Sequence, residues 1–289
     1  MKHYIYTVRS DKDGFATIAD LSAAAADLEC GELVVDFSSC VFFDANMTAP
    51  LNAALKRIEN ESNTVKITGL RDDVERILRK NHFLGEYGYD DLHDTNQTTL
   101  PHECFGLSQS KEFSGYLDRH LARKEIPKMS DGLVRRFRQS ILEMFQNCAT
   151  HSSTKSGVFV CGQFYPHNNR LKLTISDGGI GIRTNVRRVA GGKISSVDAI
   201  KWALQEGNTT KTGNEPGGFG LKLLQEFVEL NQGKVQIVSR YGYYEFDGKR
   251  QKFEKMDGDL RGTTVNLEIN TNDKRSYALK SELASKDIF

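Results

Sequence analysis

Apolar residues in the first part of the chain recur in two alternating rhythms. Tyr4–Val8 alternates as a strand does, Glu32–Phe37 contains the short apolar run LVVDF, and Thr64–Thr68 is a third short strand. Between them, Ile18–Leu28 is alanine-rich. Met47–Glu61 places Leu51, Leu55 and Ile58 at helical spacing, and Asp72–Asn81 reads as a further helix. Strands and helices in turn predict an α/β domain. Residues 85–108 are rich in Gly, Asp, Thr, Asn and Gln, with Pro101 among them, and read as a linker. Two domains are therefore expected, at 1–97 and 98–289, in line with a length of 289 residues.

The second part opens on helical spacing. Lys111–Lys124 sets Phe113, Leu117 and Leu121 on one side, and a long helix is expected over Asp131–Ser152. Strands follow at Gly157–Tyr165 and Arg170–Ser176. In the latter, Leu171, Leu173 and Ile175 alternate with Lys172, Thr174 and Ser176, the pattern of a half-buried strand. Helices at Val197–Glu206, stopped by Gly207, and at Leu221–Asn231 precede closing strands at Lys234–Phe246 and Gly262–Ile269.

Composition narrows the class. Hydrophobic residues are 38% and charged residues 27%, which is ordinary for a globular protein. No apolar run reaches the roughly 18 residues of a membrane span, and the N-terminus has no apolar signal region. A cytoplasmic protein is expected. The five cysteines form no CxxC pair, so neither a disulfide framework nor a zinc site is indicated. Net charge is +1, yet residues 1–100 hold 10 Lys/Arg and 17 Asp/Glu, against 29 and 21 in the rest. A basic second half suits a polyanion such as a nucleotide, and also suits docking on its own acidic half. No dense basic run argues for nucleic acid.

Four groups of residues carry chemistry. Glu143, Asn147 and His151 stand at i, i+4 and i+8 and share one helix face. An Asn oxygen is a hard ligand for Mg²⁺ beside phosphates, and a nearby Glu can act as a general base. Taken alone, this is equally an exposed helix face. Asp177-Gly178-Gly179-Ile180-Gly181-Ile182 follows directly on a strand. There a carboxylate offers acceptors to a donor-bearing ring, and the glycines permit close backbone approach. Gly217-Gly218-Phe219-Gly220-Leu221 opens a helix, whose N-terminal N–H groups suit phosphate. Lys211 just before it either reaches a phosphate or is a solvated lysine. Gly262-Thr263 begins the last strand, and the Thr263 hydroxyl can hydrogen-bond a ligand.

In this order, ExxxN, DxGxG, GGFGL and GT, at intervals of about 30, 40 and 40 residues, resemble the N, G1, G2 and G3 boxes of the GHKL (gyrase, chaperone, histidine-kinase, MutL) ATPases. The likeness covers roughly residues 110–270. It implies a Bergerat-fold α/β two-layer sandwich with helices on one face of the sheet, binding ATP with Mg²⁺. It implies Glu143 as general base and Asn147 as Mg²⁺ ligand. It implies Asp177 as the adenine-reading carboxylate, helped by Thr263, with Gly179 and Gly181 opening the adenine pocket. Arg183–Gly217 would be a mobile lid, ending on the phosphate-contacting Gly218 and Gly220. His151 matches the ExxxNxxxH of anti-sigma-factor serine kinases. Upstream, VVDFSSCVFFDANMTAPL loosely resembles the STAS domain of anti-anti-sigma factors, with Ala45 where those regulators carry a phosphorylatable Ser.

Too few helical residues precede Glu143 for the phosphoacceptor hairpin of a histidine kinase, and with about 20 polar residues after Ile269, gyrase and MutL types in full form are not expected. Three functions are expected in descending order: an ATP hydrolase or nucleotide-driven switch, a serine/threonine kinase acting on a STAS-type partner, and a non-hydrolysing ATP sensor. A homodimer is compatible with each.

Overall fold

A computed structural model describes residues 1–121, 125–205, 207–208, 219–279 and 282. Eight strands and eight α-helices occur among them. In the first part, β1 (Lys2–Tyr4), α1 (Lys12–Ala24), β2 (Glu32–Asp36), α2 (Thr48–Asn60), β3 (Thr64–Thr68) and α3 (Asp72–Lys80) alternate as expected. The three strands form one parallel sheet, in the order β1-β2-β3. Helix α1 begins six residues before the expected Ile18. Asp11 caps it, its carboxylate accepting from Gly14 N–H at 2.9 Å. The cap satisfies an open N–H group of the first turn, which carries Phe15 into the core.

The second part comprises β4 (Thr99–Phe105), α4 (Ser110–Leu121), α5 (Asp131–His151), β5 (Val158–Tyr165), β6 (Arg170–Asp177), α6 (Ile182–Ala190), α7 (Ser196–Leu204), α8 (Phe219–Asn231), β7 (Lys234–Phe246) and β8 (Gln251–Asn270). Its sheet runs β4-β5-β6-β8-β7, every neighbouring pair antiparallel. The mixed α/β class expected from the sequence thus holds, as one parallel and one antiparallel sheet with helices.

Two expectations need correction. The polar stretch read as a linker contains β4, an edge strand of the second sheet. The segment read as the start of a lid contains helices α6 and α7. The second of these buries Ala199 and Ile200 completely, so its packing on β7 is part of the core.

Each face of the second sheet has its own cover. Leu171, Leu173 and Ile175 of β6 pack with Phe137, Ile141 and Phe145 of α5 and with Leu224, Phe227 and Val228 of α8 in one apolar core. Lys172 and Thr174 point the other way, and that face is covered by the N-terminal part. Ala49 and Ala53 of α2 sit on Phe159 and Cys161. Helix α1 lies along the extended β7–β8 hairpin, so Val238, Tyr243, Met256 and Leu260 belong to the same core as Phe15 and Ile18. Each such side chain, fully buried, contributes about 1.5–3 kcal/mol.

The centre of this interface is polar and closed. Asn46 Nδ2 donates to Thr174 Oγ1 at 2.8 Å and lies 3.1 Å from Asn266 Oδ1. Asn266 Nδ2 donates to Gln236 Oε1 at 2.7 Å, and Gln236 Nε2 to the Ser10 carbonyl at 3.0 Å. Lys172 Nζ meets Asp44 Oδ2 at 2.8 Å, and the Asp44 side chain is 5% exposed. Buried polar groups are tolerable only when satisfied, so this network fixes one arrangement of the two parts.

His102, hidden in the expected linker, is fully buried here. Asn52 Nδ2 lies 2.8 Å from His102 Nε2, and Asn52 Oδ1 is taken by the Tyr87 hydroxyl at 2.7 Å. Asn52 is therefore the donor and Nε2 the acceptor, which assigns the ring proton to Nδ1. That nitrogen faces Thr48 Oγ1 at 3.2 Å. Burial pushes the His102 pKa down to about 4. The unfolded chain takes up this proton near pH 6.5 and the folded chain only near 4. Stability through this group is thus whole above about 6.5 and is lost as pH falls toward 4. The loss is on the order of 3 kcal/mol. The difference in unfolding free energy between wild type and His102→Gln should shrink by that order between pH 7 and 4.5. A pH-independent difference would contradict the neutral, buried ring.

Candidate functional site

Of the site residues read from the sequence, Glu143, Asn147, His151, Asp177, Gly181 and Thr263 line one cavity, on α5, at or just past the end of β6 and on β8. Helix α5 starts at a Ser130 cap, whose hydroxyl accepts from Leu133 N–H at 3.2 Å, and runs 21 residues. Such a cap satisfies one of the open N–H groups of the first turn. The inner face of α5 gives Phe137, Ile141 and Phe145 to the core. An adjoining face carries Ser140, Glu143, Asn147 and His151 to the rim of a cavity of about 180 Å³. Asp177, Gly181 and Thr263 line the same cavity, as do Ile182, Asn185, Trp202, Leu204 and Asn208.

Asp177 ends β6 and pairs in register with Thr263 of β8. The residue is 2% exposed. Gly179 N–H donates to Asp177 Oδ1 at 2.8 Å, and the Cys148 thiol and Thr263 N–H are further donors. These favour the anion, but burial outweighs them. The Asp177 pKa is pushed up to about 6. A carboxylate held dry at a cavity wall, with its second oxygen free of the Gly179 bond, is suited to accept from a ligand N–H.

The glycines here have identifiable tasks. A Cβ on Gly179 would stand 2.0 Å from the Ser152 carbonyl, because the DGG turn is tied to the end of α5 by an Ile180 N–H bond to Ser152 O of 2.8 Å. A Cβ on Gly262 would stand 1.9 Å from the Asp177 carbonyl, and the Gly262 φ is +92°. That backbone conformation is itself costly for other residues. The G1 and G3 motifs are thus two sides of one close backbone contact. Gly178, on the opposite side of the turn, touches the N-terminal part: its Cβ would lie 2.8 Å from the Ala53 carbonyl of α2.

Several residues in and around the cavity escaped sequence reading. Ser239 of β7 accepts from Ile182 N–H at 2.9 Å and lies 3.2 Å from Thr263 Oγ1, fixing the start of α6 against the Gly-Thr strand. Asn185 Nδ2 donates to the His151 carbonyl at 2.8 Å, joining α6 to α5. Trp202, the sole tryptophan, lines the cavity from α7. None of these stands in a motif; only the helical period of α6 and α7 could have pointed inward. Gly220 lies in the first turn of α8. Lys211 and Gly218 fall outside the described residues.

Charge and metal-binding capacity are modest. Among the described residues, no group of three or more His, Cys, Asp or Glu could hold a metal ion. On the α5 side of the cavity, the Asn147 amide and the Glu143 carboxylate are hard-oxygen donors. This sparse set fits Mg²⁺ bound mainly by phosphates and water. All five cysteines are free, and Cys40, Cys148 and Cys161 are buried. No helix among the described residues is long and apolar enough to cross a membrane.

No curated protein matches the chain. The sequence model of the histidine kinase-, DNA gyrase B-, and HSP90-like ATPase family matches residues 132–272, from the first turn of α5 to just past the end of β8. With the antiparallel sheet, its helical cover and the cavity between them, this match establishes that the chain carries an ATP-binding domain of the GHKL ATPase family.

Proposed function

We propose that the chain is a Mg²⁺-dependent ATP hydrolase that works as a nucleotide-driven switch. The observation that carries this reading is that Glu143 and Asn147 share one cavity with Asp177 and Thr263. Asp177 reads the adenine amino group, with Thr263 beside it. Gly179 and Gly181 let the backbone come close to the ring, and Gly220 lies in the first turn of α8, a helix N-terminus suited to phosphate. Asn147 is the residue to hold Mg²⁺, which when bound neutralises phosphate charge. Glu143 takes the proton of the attacking water. The Gly178–Ala53 contact puts the N-terminal part directly against the adenine-side turn, which supports coupling between nucleotide state and that part.

A STAS-like reading of the N-terminal part is supported by its β1-α1-β2-α2-β3-α3 alternation. It brings in the second reading, a serine/threonine kinase acting on a STAS-type partner. An acceptor within this chain is disfavoured. Ala45 stands at the expected position, and the nearby Thr48 is fully buried, donating to the Ala45 carbonyl at 2.9 Å on the sheet face opposite the cavity. Incubation with γ-labelled ATP, with and without STAS-domain proteins, separates the readings. Free labelled phosphate is the expected result. Label on the added protein would replace it with the kinase reading, and neither product would sink both.

The raised Asp177 pKa gives the site a pH dependence. The carboxylate is the better acceptor for an adenine N–H, and the folded chain protonates it near pH 6. ATP affinity should therefore fall as pH drops below about 6, by up to tenfold per unit, and be level above it. Calorimetric titrations at pH 5 and 7.5 check this. Equal affinities would exclude Asp177 as the ionised contact.

A further inference from the structure

Helix α6 has a second face that the nucleotide cavity does not use. Ile182, Asn185 and Val186 look into that cavity, while Arg183, Thr184, Arg187 and Arg188 line a separate, wider hollow of about 500 Å³. Arg183 and Arg187 stand four residues apart, as do Thr184 and Arg188, so the four side chains make one strip along the helix. Arg240 of β7 closes the hollow from across.

Arg240 is held there by an irregular backbone. The β7–β8 register shifts on both sides of it, and its φ is +57°. This is a left-handed conformation that non-glycine residues rarely adopt. Bulges of this kind re-aim a side chain, and strained positions persist where the surrounding structure demands them. Charge in the hollow is out of balance. Among the described residues, Asp259 is the acid that pairs with it, through Arg240 Nη2 at 2.7 Å. Arg183 Nε is buried without a hydrogen-bond partner among the described residues. Thr184 Oγ1 already donates to the Ile180 carbonyl at 2.9 Å, so recognition falls to the guanidinium groups.

We infer that this hollow is a second anion site, distinct from the ATP cavity, that takes a phosphoryl group carrying at least two negative charges. Guanidinium forks match phosphate oxygens in pairs, and four of them against one carboxylate leave a charge that a single monoanion does not neutralise. Because α6 is the wall between the two sites, an anion here and a nucleotide there press on one helix, and each should change the affinity of the other by the same factor. The phosphoryl group has two sources, free polyphosphate or a phosphorylated side chain.

The test uses the full chain with its nucleotide cavity saturated by a non-hydrolysable ATP analogue. Inorganic pyrophosphate and O-phosphoserine are titrated calorimetrically into wild type, Arg187→Lys and the exposed double variant Arg187→Ala/Arg188→Ala. One pyrophosphate or phosphoserine per chain is expected, weakened about tenfold to a hundredfold in the double variant and less in Arg187→Lys. ATP-analogue affinity without the second anion should stay unchanged in all three. Pyrophosphate alone binding identifies free polyphosphate as the source, and phosphoserine binding a phosphorylated partner. Equal binding by wild type and double variant, or binding of neither probe, would overturn the site. Should the ATP analogue itself fail to bind, the nucleotide reading falls, while the wild-type-to-variant difference for pyrophosphate still reads this hollow.

Discussion

Glu143→Ala should bind ATP with near wild-type affinity and release phosphate about 10²–10⁴ times more slowly, the usual contribution of a positioned general base. The side chain is on the rim, not in the core, so its loss leaves α5 packed through Phe137, Ile141 and Phe145. Asn147→Ala, one turn on, should instead lose the Mg²⁺ dependence of binding or turnover. A steady-state phosphate-release assay run beside a binding titration distinguishes the two. A Glu143→Ala protein that turns over like wild type would remove the residue from catalysis, and with it the preference for hydrolysis over sensing.

The second large effect concerns the joint between the two parts. The acidic first part and basic second part suggest electrostatic docking, and the buried Lys172–Asp44 pair does have the expected polarity. Yet Lys12 with Glu254, at 3.1 Å, has the opposite one, and the bulk of the contact is apolar. Salt screens exposed charges beyond about 8 Å at physiological strength but leaves such a core intact. The whole chain should therefore unfold in one cooperative transition that shifts little between low and high salt. Residues 98–289 alone would expose Val238, Tyr243, Met256 and Leu260 together. A contiguous apolar patch of this kind drives aggregation. Soluble, nucleotide-binding 98–289 with an unchanged melting temperature would mean that the N-terminal part is only tethered.

What the sequence disclosed, and what it hid, has a physical pattern. The spacing of Glu143, Asn147 and His151 survives translation into structure because the long helix α5 keeps its period throughout. The glycines of DGGIGI and Gly262-Thr263 were legible because close backbone contacts, to Ser152 and Asp177, admit no side chain. Strand β4 was hidden because its inward residues include His102, polar yet fully buried, beside Pro101 and exposed Cys104. Alternation along β6 misled in a second way. Thr174 reads as a solvent-facing residue but is fully buried under Asn46, in one network with the buried Asn266 of β8 and Gln236 of β7. Polarity marked the second face of the sheet correctly and said nothing of what covers it. Helix α6 was read as lid because Arg183–Gly217 matches the lid interval between the family's motifs, although Ile182 and Val186 stand at helical spacing.

The central claim is that ATP lies against Asp177 in the cavity between α5, α7 and the sheet. Trp202 lines that cavity and is the only tryptophan, so its emission should report nucleotide arrival directly. The decisive measurement is a titration of a non-hydrolysable ATP analogue at pH 7.5 into wild type and Asp177→Ala, read by Trp202 fluorescence and by calorimetry. Loss of a charge-assisted acceptor costs about 1.5–3 kcal/mol, so the variant should bind roughly one to two orders of magnitude more weakly. An Asp177→Ala protein with unchanged affinity and an unchanged Trp202 response would contradict the assignment of this cavity as the adenine site.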